Sequence, residues 1–226
     1  MAKKKKRKKK IKFFRVFLVL LILLLLISLI FLLGKIKVKG YYISGNTYYK
    51  DEEILSMTGL DKYPSYLLTT NYSINSKIKN NDLIKNIKIK KTIYGKFKII
   101  IEENRILFYD NIKKKSITES GKEIDYYYKL SPVLVSDIQD KKLYDKLVNK
   151  FKKVNDNTYQ SISEIKYDPN DIDKERFLLS MNDGNYVYVT MSKFDNINDY
   201  LEISKTLGTK NGILYLDYGN YFVPKE

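Results

Sequence analysis

The feature that most constrains this chain is an apolar run near its start. From Phe13 to Leu33 every residue except Arg15 and Ser28 is apolar. As a helix those 21 residues would be about 31 Å long, against a bilayer hydrocarbon core of about 30 Å. Arg15 lies one turn inside the end, close enough for its stem to reach the headgroups. A cleaved leader shares the basic-then-apolar pattern, but its apolar stretch is shorter. No pair of small residues for cleavage follows this run; Gly34-Lys35-Ile36-Lys37-Val38-Lys39 does. The run therefore reads as an uncleaved membrane anchor over 13–33, preceded by a basic tail over 1–12.

Charge gives the anchor a direction. Ten basic residues (Lys3–Lys6, Arg7, Lys8–Lys10, Lys12, Arg15) precede the core of the run, and Lys35, Lys37 and Lys39 follow it. The positive-inside rule places the amino terminus in the cytoplasm and residues 35–226 outside, with the tail near anionic headgroups. The net charge of +16 could suggest nucleic acid. However, residues 1–40 hold 13 Lys+Arg and no acid, leaving 29 Lys+Arg against 26 acids beyond them. The basicity belongs to the anchor, and no nucleic-acid partner is expected.

The absence of Cys and His removes disulfides, thiol nucleophiles, Ser-His machinery and imidazole or thiolate metal sites. Ser163-Glu164-Ile165-Lys166 matches the S-x-x-K pattern of penicillin-binding enzymes. That pattern needs a helix to bring Ser and Lys to one side, and here it falls on a predicted strand without partner motifs. Asp168-Pro169-Asn170-Asp171-Ile172-Asp173 is acidic but places Ile172 where a calcium loop needs an oxygen ligand. The neighbouring pairs Glu52-Glu53 and Glu102-Glu103 diverge rather than share a proton. No enzyme and no cofactor are expected.

Beyond the anchor the pattern is α+β, in two blocks. Ile36, Val38 and Tyr42 suggest a strand ending at Ser44-Gly45-Asn46. Asp51-Glu52-Glu53 opens a helix that Gly59 can stop in the left-handed conformation. Ile74 and Ile78 mark a second helix. Ile87 and Ile89 alternate with lysines, and so do Phe97, Ile99 and Ile101 after a turn at Ile93-Tyr94-Gly95.

This order resembles a POTRA domain. The run Ile36-x-Val38-x-Gly40…Ser44-Gly45-Asn46…Glu53-Ile54…Gly59-Leu60 resembles its opening in the FtsQ/DivIB family of bitopic bacterial division proteins. Leu83 to Lys91, followed by Phe97-x-Ile99-x-Ile101-x-Glu103, resembles its closing hairpin. The family usually has proline where this chain has Asp82 and Tyr94.

In the second block, Leu107-Phe108-Tyr109, Ile117–Gly121, Pro132–Val135, Ile162–Tyr167 and Phe177–Met181 read as strands. A turn at Asn182–Asn185 leads into Tyr186–Val189. Helices are read at Leu143–Val154 and around Ile197, Tyr200, Leu201, Ser204 and Leu207, before a last strand at Ile213–Asp217. This order resembles the β domain of the same family. The expected division is a POTRA domain over 35–103, a β domain over 104–221 and a tail over 222–226.

The resemblance implies a non-enzymatic scaffold at the division septum. It would bind DivIC/FtsB-like and FtsL-like bitopic partners and help control septal peptidoglycan synthesis. Family members receive the DivIC/FtsB partner at the end of the β domain, which points here to Ile213, Tyr215, Tyr218, Tyr221 and Phe222. An alternative is a membrane-tethered cell-wall receptor or enzyme. The tyrosine clusters Tyr41-Tyr42, Tyr48-Tyr49 and Tyr126–Tyr128 leave peptidoglycan contact open, although aromatics also suit strands.

Overall fold

A computed structural model describes residues 13–208 and 211–225; the expected basic tail over 1–12 lies outside them. The apolar run forms one helix, α1 (Phe13–Gly34), with none of its residues buried and length and composition sufficient to cross a membrane. Beyond it the chain is α+β and divides into two compact units. One takes the residues up to Asn80 together with Asn86–Glu102, and the other takes Asn81–Lys85 and everything from Glu103 onward.

The first unit contains β1 (Gly40–Ser44), α2 (Asp51–Thr58), α3 (Asn71–Ile78), most of β2 (Ile84–Lys91) and β3 (Lys96–Glu103). Its sheet has the order β1-β3-β2, with β1 parallel to β3 and Tyr41 opposite Phe97. The expected opening strand begins later than Ile36. Lys37 makes only an isolated bridge to Ser65, and Val38 is buried while donating its N–H to Pro64 O. α2 starts with Glu53 accepting from the Lys50 N–H at 2.7 Å. It stops at Gly59, whose φ of +67 places it in the left-handed region and lets its N–H reach the Leu55 and Ser56 carbonyls. α3 is capped by Thr70, whose side chain accepts from Ser73 N. Ile54, Ile74, Ile78, Ile87, Phe97, Ile99 and Ile101 form the core.

The second unit is built on a nine-stranded mixed sheet. Its strands are β4 (Ile106–Asp110), β5 (Lys115–Thr118), β6 (Glu123–Ile124), β7 (Val133–Leu134), β8 (Ile162–Tyr167), β9 (Arg176–Met181), β10 (Tyr186–Thr190), β11 (Gly212–Tyr215) and β12 (Tyr221–Pro224). Across the sheet they run β12-β11-β10-β9-β8-β7-β4-β5-β6. Parallel pairing of β4 with β7, β7 with β8 and β10 with β11 requires crossovers. The helices α4 (Lys141–Phe151), α5 (Asp156–Ser161) and α6 (Tyr200–Leu207), with a 3-10 stretch over Met191–Asp199, lie within or beside those crossovers.

In α4, Leu143, Tyr144, Leu147, Val148 and Phe151 are buried, the stripe expected of a helix packed on one face. Phe151 meets Phe108 edge-on and tilts against Phe194, and all three are fully buried. Each such side chain contributes roughly 1.5–3 kcal/mol through burial.

Three readings of the second unit need correction. Residues 222–224 are not tail, because Tyr221–Pro224 form β12, paired antiparallel with β11. The expected last strand is shorter, at Gly212–Tyr215. The expected helix around Ile197 is a 3-10 stretch to Asp199, itself kinked at Lys193, followed by α6 from Tyr200, and Leu201, Ser204 and Leu207 are half-buried.

Candidate partner-binding edge

Strand alternation sorts the side chains of β9–β12 between two faces of the sheet. Phe177, Leu179, Val187, Val189 and Leu214 are buried on one face. The opposite face carries Arg176 on β9, Tyr188 on β10, Tyr215 on β11 and Tyr221 on β12. Register places Tyr188 opposite Tyr215, and Tyr215 opposite Tyr221. The rings stack in sequence: Tyr188 on Tyr215 at 5.3 Å between centroids, and Tyr215 on Tyr221 at 4.6 Å with only 9° between planes. Arg176 closes the row at its inner end, its guanidinium 3.4 Å from the centre of the Tyr188 ring.

Charge holds that inner end in place. Arg176 Nε donates to Asp217 Oδ2 at 2.9 Å, and the Asp217 side chain is only 3% exposed. Asp168 stands 3.7 Å from the same guanidinium and pairs with Lys166 at 3.0 Å. The Lys166 ammonium, helped by the Tyr188 hydroxyl and by Arg176, holds the Asp168 carboxyl below its ordinary range against the opposing effect of burial. Burial, and then the Asp168 charge, pushes the Tyr188 hydroxyl upward.

The outer end of the row is the sheet edge. β12 lies close against β11 because residue 212 is glycine. A Cβ there would sit 2.2 Å from Val223 O and 2.6 Å from the Phe222 ring. Lys225 N–H donates to Asn211 O at 2.8 Å. By ladder alternation, Val223 and Tyr221 also direct their backbone groups at β11, and Phe222 directs its own outward. Pro224 shares the outward position and has no N–H to offer there.

The structure distributes the five expected residues over this edge. Ile213 and Tyr215 are half-buried on the tyrosine face, and Tyr221 is 49% exposed there. Phe222 points the other way and packs against the helix-covered core. Tyr218 lies in the β11–β12 turn, exposed, with its N–H on Asp217 Oδ1. Sequence reading missed Arg176, Tyr188 and Asp217, whose association depends on cross-strand register rather than on spacing along the chain.

The other candidate motifs are used structurally. Ser163 Oγ donates to Ser180 O, whereas Lys166 is bound to Asp168, so the two are not brought together. Asn170 Oδ1 accepts from the N–H groups of Ile172 and Asp173 and so caps its own turn. Among the described residues no group of three or more acidic side chains is placed to hold a metal ion. Tyr41 donates its hydroxyl to Leu60 O and packs on Tyr63 and Phe97, and burial raises its pKa to about 12. Tyr127 meets Tyr109 edge-on at 4.7 Å.

The family described as "POTRA domain, FtsQ-type" matches residues 36–104. Curated relatives extend the likeness over most of the chain. The cell division protein DivIB of Bacillus subtilis is 27% identical over 197 residues, covering 82% of this chain and 73% of its own length. That of Listeria monocytogenes is 27% identical over 200 residues, covering 85% and 74%. That of Bacillus anthracis is 26% identical over 192 residues, covering 81% and 72%. The chain is thus similar to FtsQ-type POTRA domains over residues 36–104 and to DivIB proteins over most of its length. The names of these relatives support a role in cell division, the role that the resemblance implies. Among solved structures, the extracytoplasmic domain of Geobacillus stearothermophilus DivIB aligns with 47% of this chain and 95% of its own, at 24% identity and a TM-score of 0.40.

Proposed function

We propose that this chain is a member of the FtsQ/DivIB family and a single-pass, non-enzymatic scaffold of the division septum. Its amino terminus lies in the cytoplasm, and its POTRA (35–103) and β (from 104) domains lie outside. On this reading β12 receives an extended segment of a DivIC/FtsB-like bitopic partner, with an FtsL-like protein in the same complex. Through them the scaffold helps control septal peptidoglycan synthesis. One observation carries the reading: β12 ends the sheet with the Phe222 backbone directed outward, beside the half-exposed side chains of Tyr221 and Val223. An added strand gains main-chain hydrogen bonds there, and the tyrosine row supplies a rigid aromatic anchor beside it.

The test uses the full chain in detergent with a DivIC/FtsB-like partner. Tyr221→Ala should weaken capture about ten-fold or more with little change in Tm, because Tyr221 lies outside the core. Phe222→Ala should lower Tm, because Phe222 packs on the core. Full binding by Tyr221→Ala, or a lower Tm with binding kept at low temperature, removes the edge from the proposal. Orientation is tested separately. Protease added to wall-stripped cells should digest residues after Lys35 and spare the lysine-rich tail, and the reverse pattern refutes it.

A further inference from the structure

The geometry points to a lipid-docking surface at the base of the first unit, formed by the Ile93–Tyr94 turn and the lysines that leave α1. This rests on reading Phe13–Gly34 as a membrane span and not on which side of the membrane the domains lie.

The turn between β2 and β3 exposes two large apolar side chains at its tip: Ile93 is 91% and Tyr94 is 74% exposed. It is not a loose loop. Gly95 N–H donates to Thr92 O, Thr92 N–H to Lys96 O, and the Tyr66 hydroxyl to Thr92 O at 2.6 Å. A turn held this firmly keeps both side chains pointed outward at a standing cost in water, which burial against another surface would remove.

The chain itself places a bilayer close by. Lys39 N–H donates to Gly95 O at 2.9 Å, tying the turn to residue 39. Only residues 35–39 separate that bond from the end of the apolar helix, a reach of about 17 Å when fully extended. The neighbouring segment is fastened to the helix end more directly. Ser65 Oγ donates to Leu33 O, and Tyr66 N–H donates to Ile36 O at 2.7 Å. That segment adds Leu68, half-exposed, beside Gly34.

The charges suit an anionic lipid surface. Lys35, Lys37 and Lys39 are all exposed within this short tether. Lysines attract anionic headgroups within about a Debye length of the membrane. Tyrosine at headgroup depth keeps its hydroxyl wet while its ring is buried. The occupant is therefore the bilayer that holds α1, with Ile93 and Tyr94 seated among its headgroups and the lysines on anionic lipid. Docking there would fix how the first unit stands on the membrane.

The chain contains no cysteine, so single nitroxide labels can be introduced into the full protein. Labels at Leu24→Cys, Tyr94→Cys, Ile93→Cys and Lys79→Cys would be compared in vesicles of phosphatidylglycerol with phosphatidylcholine, and of phosphatidylcholine alone. Lys79 is exposed at the opposite end of β2 and serves as the aqueous reference. The readout is collision with a water-soluble nickel chelate against collision with oxygen.

The expected result is immersion at 24 and several-fold protection from nickel at 93 and 94 relative to 79, deepest in the anionic bilayer. Water exposure at 93 and 94 equal to that at 79, with 24 immersed, overturns the inference and leaves the span intact. An aqueous label at 24 overturns both together. Equal depth in the two lipids strikes the lysines from the surface. Protection at 94 that appears only when soluble polyphosphate is added assigns the lysines to a polymer and overturns lipid docking.

Discussion

At one end of the nine-stranded sheet, β6 is two residues long and ringed by exposed charge. Lys113 pairs with Glu123 at 2.7 Å, and Lys115 pairs with Asp125, whose side chain is 81% exposed. At the other end, β12 is longer, carries a stacked tyrosine, and is braced by the buried Arg176–Asp217 pair through Tyr188 and Tyr215. Short length and charge are common ways of keeping a sheet edge from pairing with other chains. Only β6 has both. The β12 end has Pro224 and Lys225 just beyond its aromatic stretch, which limits an incoming strand to the positions around Phe222. The difference teaches that one sheet can blunt one edge with short length and charge while bracing the other with stacked rings and a buried ion pair.

The ion pairs should give the largest contrast. Arg176→Met leaves Asp217 buried without its partner and should destabilise the second unit by about 3–5 kcal/mol. Lys115→Met, at the exposed pair, should cost no more than about 1 kcal/mol. Denaturant unfolding of the full chain in detergent measures both, and similar values would erase the contrast between the two ends. The glycines give the next contrast. Gly212→Val drives a side chain into Val223 O and Phe222, at a cost of about 3 kcal/mol. Gly121, in the β5–β6 turn at φ +82, has open space around its missing Cβ. Gly121→Ala should therefore cost only about 1–2 kcal/mol of backbone strain. Loss of partner capture should accompany Gly212→Val alone.

The smallest effect is a pH dependence confined to the β12 end. Asp168 is held below its ordinary value of 3.8 in the folded protein. Its contribution to stability is thus present above that value and is lost as pH falls through the folded one. Asp168→Asn should lower Tm at neutral pH and converge with the unsubstituted chain in acid below 3.8. An unchanged gap at low pH would mean the carboxylate charge is not what braces the row.

Sequence periodicity made most of this fold legible. The lysine-isoleucine alternation of β2, the stripe of α4 and the acidic start of α2 each encode an element locally. It failed where tertiary contacts do the encoding. α5 is written Asp-Asn-Thr-Tyr-Gln-Ser, a weak helix sequence, and depends on its Asn155 cap and on Tyr159, whose hydroxyl reaches Ile106 O. β12 ends in proline and its residues 222–224 fall in the expected tail, because nothing within Tyr221–Pro224 announces that Gly212 makes room for it. Arg105 donates to Asp156, to Phe151 O and to Val154 O, contacts 46 to 51 positions along the chain that no local pattern marks. Of the candidate edge, the aromatic residues are legible from their position in the pattern the chain resembles. The Arg176 brace is not, since it joins residues 41 positions apart.

The parallel pairing of β1 with β3 also bears on how the first unit comes into being. Residues 45–95 separate the two strands, so their ladder can form only after a long loop has closed. The β2–β3 hairpin and the two short helices have far nearer contacts and can assemble before it. β1 is thus a late-docking strand, whose bonds act chiefly on how fast the unit unfolds rather than on how fast it folds. It is also the first strand after the apolar helix α1. A pull transmitted along that helix would therefore load the bonds at Leu33, Ile36 and Lys39 and then this latest-formed strand, a weak link in mechanical series with it.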